Sequence, residues 1–335
     1  MATSLALCLI LALVYKESIL PFVFPILISG AAAFGSYTII KRNSWESFNK
    51  KEAYLSVSVA WLVISVIGAL PFLFSGYINS PIDALFESVS GFTTTGSSIL
   101  TNIEILPKSL LFWRSLTHWI GGIGIIVLVI VIMPRANINS YSIFSLESSL
   151  REKIHPRLRS VGYRLLIIYF LLTFTETILL LLGNMNLFES LCHAFGTVST
   201  GGFSPKNTSL TDYSPYIQYV VTIFMILGGT NFVIHYFLLK REFKKVKQND
   251  EFVFYMKAIF ISGIVITAAL YIGTDRPLEQ SFRDSFFQVA SIVTCTGFAT
   301  SDYLLWPEFA WIGIFILMFL GGSTGSTAGG IKMVR

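Results

Sequence analysis

Charged side chains are scarce in this chain of 335 residues: Asp, Glu, Lys and Arg together make up 13%. A water-soluble domain carries about a quarter, so a bilayer suits this composition better than water. Cysteine is scarce as well, and Cys8, Cys192 and Cys295 lie too far apart in sequence for a disulfide framework or a metal cluster. The four histidines, His118, His155, His193 and His235, show no ligand spacing of the HExxH kind. An intramembrane enzyme would need clustered acid and base groups. Glu176 and His235 are the nearest candidates and form no constellation, so the chain is not expected to be an enzyme or to carry a cofactor. The N-terminus lacks a basic n-region and a small-residue cleavage site, so its first apolar run is expected to stay as a membrane segment.

What the chain has in abundance is apolar surface: 53% hydrophobic residues, mean hydropathy +0.68, with 6 Trp, 14 Tyr and 29 Phe. Apolar runs at 2–15, 18–40, 54–78, 109–133, 161–183, 214–239, 252–273 and 306–331 predict eight spans. Most exceed the roughly 20 residues that cross about 30 Å of hydrocarbon. With the N-terminus inside, the cytoplasmic side collects every Lys and Arg except Lys16, Lys108, Arg114, Lys206, Arg276 and Arg283, as the positive-inside rule requires. The net charge of +5 is thus a topology signal from short basic clusters, not a nucleic-acid footprint.

The external connections 79–108, 184–213 and 274–305 are unusual. Each carries an apolar stretch too short to span (Ile82–Phe92, Leu187–Val198 and Ser281–Val293) and then a small, hydroxyl-rich sequence: TTTGSS at 93–98, STGGFS at 199–204, TCTGFATS at 294–301. A short helix with a small-residue return strand predicts a re-entrant loop. Aligned on Gly96, Gly201 and Gly297, the three copies share a downstream glycine pair, Gly121-Gly122, Gly228-Gly229 and Gly321-Gly322, at intervals of 25, 27 and 24 residues. The repeated unit is span, half-helix, loop, span. It divides the chain into an N-terminal helix pair (1–45) and three units (46–140, 141–247 and 248–335).

Non-helical backbone at membrane depth is tolerated where it lines a polar cavity. Carbonyl rings there can replace the hydration shell of a monovalent cation, glycine supplies the backbone angles, and the C-terminal end of each half-helix favours positive charge. Glu87, Glu189 and Asp284, early in the half-helices, are expected to anchor or cap; Asp212, Asp302 and Glu308 are expected at the solvated mouth. A sodium-coupled carrier of a small solute is the competing reading, but such folds usually show inverted repeats, and units of two spans each repeat in parallel. A non-conducting remnant is the third.

The stretches LFESVSGFTTTGSS, LPKSLLFWRSLTHWIGGIGIIVL, HAFGTVSTGGFS, TCTGFATSDYLLWP and GGSTGSTAGGIKMVR resemble the Trk/Ktr/HKT superfamily of potassium transporters, most closely its bacterial TrkH type. The resemblance runs from about residue 54 to Arg335, and the first two spans look like the extra pair of that type. It implies an all-α polytopic membrane protein of the bacterial inner membrane, with helix–pore-loop–helix units of a potassium-channel-like fold around a pseudo-fourfold axis. Potassium would be the transported ion. Thr94, Thr95 and Gly96 look like the first filter strand, Ser199, Thr200 and Gly201 the second, and Cys295, Thr296 and Gly297 the third. Gly321, Gly322, Ser323, Thr324, Gly325, Ser326, Thr327, Gly329 and Gly330 look like an intramembrane gating loop, whose glycine density disfavours continuous helix. The family further implies a homodimer that docks a cytosolic nucleotide-binding regulatory subunit of the TrkA kind, for which basic loops 135–164 and 240–257 are candidate surfaces. Against the family's four units this sequence displays three, so a fourth is expected to lie outside it.

Overall fold

A backbone immersed in hydrocarbon has no water to pair with, so a crossing segment satisfies its amides within its own helix. The computed structural model describes residues 1–42, 50–132 and 158–334. Among them the long elements are all helices, and the one extended pairing is an isolated parallel bridge between Leu320 and Ile331. In chain order they are α1 (Ala2–Val14), α2 (Leu20–Arg42), α3 (Lys50–Phe74), α4 (Pro81–Phe92), α5 (Lys108–Ile132), α6 (Leu158–Leu182) and α7 (Leu187–Val198). They continue as α8 (Pro215–Gly228), α9 (Phe232–Leu239), α10 (Phe243–Lys247), α11 (Asp250–Gly273), α12 (Leu278–Val293) and α13 (Glu308–Leu317).

Among the described residues, four helical stretches are long and apolar enough to cross a membrane: Leu20–Ile39, Leu55–Phe74, Gly162–Leu182 and Asp250–Gly273. Only 17–39% of each apolar window is buried within the protein, so most of each faces outward, where lipid is the matching solvent. The run at 109–133 falls in α5, itself 25 residues long. Two of the eight expected spans are not continuous. The run 214–239 divides into α8 and α9, bent by 104° across Gly229–Asn231. The run 306–331 yields only the ten residues of α13, after which the chain leaves the helix. Lys41, Arg42, Lys50, Lys51 and the run from Arg135 to Arg159, together with the boundaries at 45/46 and 140/141, lie outside the residues or side chains described.

One arrangement occurs three times: α3–α4–loop–α5, then α6–α7–loop–α8/α9, then α11–α12–loop–α13. The N-terminal pair is fastened to the first of these. Glu17, between α1 and α2, accepts hydrogen bonds from the Lys108 and Ser109 amides at 2.8 and 2.9 Å. A carboxylate at a helix N-terminus satisfies orphan donors and opposes the positive end of the dipole.

Successive units lock together at the glycine pairs. A Cβ on Gly122 would come within 2.6 Å of the Tyr169 hydroxyl and 2.9 Å of Ser199 Cβ. One on Gly229 would come within 2.5 Å of the Tyr255 hydroxyl and 2.7 Å of Thr294 Cγ2. Each tyrosine donates to the carbonyl three residues before its glycine: Tyr169 to Trp119 and Tyr255 to Ile226, both at 3.0 Å. Gly122 and Gly229 are therefore places where a span meets the next unit too closely for any side chain.

Candidate functional site

Each half-helix stops the same way. Thr93, Ser199 and Thr294 turn their hydroxyls back onto the carbonyls of Val89, Phe195 and Ala290 at 2.7, 2.6 and 2.7 Å. The following residue then takes a left-handed conformation: Thr94 at φ +54°, Thr200 at +53° and Cys295 at +57°. Side chains with a Cβ rarely adopt that region, and such strain persists only where surrounding structure enforces it. Two residues later comes a glycine with positive φ: Gly96 at +78°, Gly202 at +80° and Gly297 at +85°.

The second loop is therefore shifted by one residue from the alignment that the sequence suggests. Gly202, not Gly201, matches Gly96 and Gly297, and the equivalent strands are Thr94–Gly96, Thr200–Gly202 and Cys295–Gly297. Independent bonds fix the same register. The Thr95, Gly201 and Thr296 amides donate to Ser90, Gly196 and Ser291 carbonyls at 3.0, 2.9 and 2.8 Å. Ser90 donates its hydroxyl to Ser97 O at 2.5 Å and Ser291 to Phe298 O at 2.6 Å, while in the second loop a Cβ on Gly196 would sit 3.0 Å from Phe203 O. Ser199, placed first in its strand by sequence, is instead the half-helix cap.

The three loops converge. A Cβ on Gly96 would collide with the carbonyl oxygen of Gly201 and lie 3.9 Å from Thr296 O. One on Gly202 would collide with the Thr296 carbonyl oxygen, whereas Gly297 has nothing within 4 Å. Loop one thus abuts loop two, and loop two abuts loop three, through the same pair of positions. Only glycine allows that approach.

Behind the first two loops, side chains nine residues before the glycine act as braces. Glu87 accepts from the Ser98 hydroxyl and the Ile99 amide, each at 3.0 Å, and pairs with Arg114 Nε at 2.6 Å, both side chains buried. His193 Nε2 meets Ser204 Oγ at 3.1 Å. Gln288 occupies the third position and is buried. Asp83 and Glu189, four residues earlier than Glu87 and His193, sit in capped first turns: their amides donate to Ser80 Oγ and Asn186 Oδ1. Glu189 also accepts from the Tyr213 hydroxyl at 2.9 Å; burial and then this carboxylate raise that phenol well above its usual pKa. Asp284 pairs with Arg276 at 3.1 Å. Asp212, Asp302 and Glu308 are exposed.

Arg114 and His118 were not singled out by sequence, yet they hold the second loop from α5. Arg114 Nη1 donates to Ser204 O at 3.0 Å and its guanidinium lies 3.6 Å from the Phe203 ring centroid. His118 stacks on the same ring at 3.9 Å, and its Nδ1 accepts from the Phe203 amide at 3.3 Å. A lone arginine and histidine inside an apolar span were the available signal. Glu176 and His235 do not form a pair: His235 Nε2 contacts Leu227 O at 2.9 Å, and Glu176 is buried on α6. Among those residues no His, Cys, Asp and Glu group could hold a metal.

The segment 321–330 is non-helical and lies against the helix breaks beside the loops. Ser323 N donates to Gly229 O at 2.9 Å, and the Thr327 hydroxyl reaches Val198 O and Gly228 O at 3.0 and 3.2 Å. Gly325 O accepts from Phe232 N at 3.1 Å. Carbonyls freed where α8 breaks, and an amide where α9 starts, are thus satisfied by the broken end of the third unit. Each break supplies the other's missing partner, which is how buried irregular backbone keeps its polar groups paired. Gly329 and Gly330 lie against the Cys295 thiol; a Cβ on Gly330 would be 3.2 Å from it.

The family profile described as TrkH, a cation transport protein, matches residues 23–335. Among curated proteins, the chain is 35% identical over 292 residues to the Trk system potassium uptake protein TrkH of Escherichia coli K12, covering 85% of this chain and 60% of that protein. It is 32% identical over 302 residues to TrkH of Halomonas elongata, covering 88% and 62%. TrkG of Escherichia coli K12 is 32% identical over 335 residues. The chain thus spans about three fifths of the length of the first two. Among solved structures, the crystal structure of the potassium transporter TrkH from Vibrio parahaemolyticus superposes with a TM-score of 0.85 at 28% identity, covering 100% of this chain and 70% of that one.

Proposed function

The chain belongs to the TrkH family of cation transport proteins, and on that premise we propose that it lines a potassium-selective pore of a Trk-type uptake system in a bacterial inner membrane. Peptide oxygens of Thr94–Gly96, Thr200–Gly202 and Cys295–Gly297 replace the ion's water. The half-helix C-termini behind them hold the site negative without a carboxylate. Segment 321–330 is the gate on the cytoplasmic side. The protein works as a homodimer with a cytosolic nucleotide-binding subunit, and the basic segment 240–257 is the docking surface within the described residues.

The observation that carries this reading is the contact between loops: Gly96 against the Gly201 carbonyl and Gly202 against that of Thr296. Three re-entrant loops that meet at one axis are hard to reconcile with a fold that moves a solute between two rocking halves. The test is rubidium and sodium uptake in bacteria stripped of their own potassium uptake systems and expressing the gene that encodes this chain. Rubidium uptake is expected, with its preference over sodium lost in Gly202→Ser. Unchanged rubidium preference in Gly202→Ser and Gly96→Ser would remove the loops from the ion path.

A further inference from the structure

We infer that Glu251 is the positioning residue that fastens segment 321–330 beneath the three loops; the inference rests on the gating role proposed for that segment. Glu251 lies in the first turn of α11, two residues after Asn249, which caps the helix by accepting from the Phe252 amide at 2.8 Å. Its carboxylate takes Thr324 at both polar positions: the amide reaches Oε1 at 2.6 Å and the hydroxyl reaches Oε2 at 2.7 Å.

The other fastenings of the segment are of a different kind. They use backbone or hydroxyl donors on neutral carbonyls (Ser323 on Gly229, Thr327 on Val198 and Gly228, Phe232 on Gly325), and Lys332 holds Ala328 from within the same stretch of chain. Hydrogen bonds to an ionised acceptor are about twice as strong as neutral ones. The paired bond on Thr324 is therefore the firmest tie between the segment and another element.

Its location gives it a second property. Glu251 follows α10 by four residues, and α10 carries Lys244, Lys245 and Lys247. Val246 of α10 packs with Val233, Ile234 and Phe237 of α9, and the Phe232 amide at the head of α9 holds Gly325. Displacing the exposed basic segment would thus pull on the gate through Glu251 and through α9 together. A carboxylate with different affinity for Thr324 in two positions of that segment shifts the gate between two populations.

Cys295 supplies a readout that does not depend on ion flow. Its thiol lies against Gly329 and Gly330, while Cys8 and Cys192 are each 0% exposed and serve as internal references. The purified full chain in detergent is labelled with a water-soluble maleimide, and each cysteine is followed by peptide mass spectrometry. Glu251→Gln is expected to speed Cys295 labelling about tenfold. Thr324→Val should speed it less, Glu251→Asp should restore part of the protection, and the double variant should be no faster than Glu251→Gln alone. Should Glu251→Gln also expose Cys8 and Cys192, Thr324→Val decides the matter. Labelling of Cys295 within twofold of the unsubstituted protein in Thr324→Val, or an equal rise at all three cysteines there, overturns the inference. Because this assay reads loop position, its failure and a failure of rubidium uptake are separate results.

Discussion

The junction between the first and second units and the junction between the second and third solve one packing problem with opposite chemistry. Eighteen and twenty-two residues after the loop glycine, α5 presents Arg114 and His118; the equivalent positions of α8 are Val220 and Phe224. Both pairs face the aromatic ring that follows the next loop's glycine, Phe203 in one case and Phe298 in the other. At the first junction the ring lies against a guanidinium and an imidazole, with Glu87 neutralising the charge. At the second, Phe298 joins Val220, Phe224, Phe287 and Ala290 in an apolar cluster, and Gln288 stands where Glu87 stands. The lesson is that the ring around the axis needs a filled, satisfied seam, and either an ion pair or a dry core meets that need. The ionic seam also binds Ser204 O, so it fixes the loop's position in a way the apolar seam does not.

The sharpest way to break the comparison is Arg114→Val, which strands Glu87 as an unpaired buried charge. Loss of one partner of such a pair costs about 3–5 kcal/mol, visible as a large drop in thermal unfolding temperature in detergent. Adding Glu87→Gln makes the first seam chemically like the second. The double variant is expected to recover a good part of that loss while ion selectivity stays impaired, because Ser204 O has lost its donor. If the double variant is no better than Arg114→Val alone, the two seams are not interchangeable in stability.

At the second seam, Phe298→Ala opens a cavity and should cost about 3–4 kcal/mol, nearly as much, but without the rescue expected at the first. The smallest effects belong to the hydroxyls that recur on both sides. Ser90→Ala and Ser291→Ala each remove a bond to the residue after the loop glycine and should cost about 1 kcal/mol. Equal losses in the two, measured by unfolding, would support equivalence of the first and third loops; a loss in only one would deny it.

Much of this was legible before any coordinates. Half-helices show as apolar stretches of about twelve residues, and the hydroxyl-rich turns with one glycine mark where each ends. The glycine pairs announce close approach. The second loop was harder, since Ser199-Thr200-Gly201-Gly202 offers two glycines and alignment on the first sets the loop one residue out of step. Positive φ falls on Gly202 because Gly201, like Thr95 and Thr296, is the residue whose amide closes the turn onto the half-helix. The broken spans were half visible: glycine density pointed to the break after α13, whereas 214–239 reads as one uninterrupted apolar run.

By itself the sequence determined the solvent and the repeat, because hydropathy and period are properties of composition along a line. Only tertiary structure decided the register of the second loop, the pairing of Arg114 with Glu87 and the mutual repair of the two helix breaks. Those outcomes depend on which donors and acceptors, distant in the chain, arrive within about 3 Å of one another, and a linear pattern does not encode that distance.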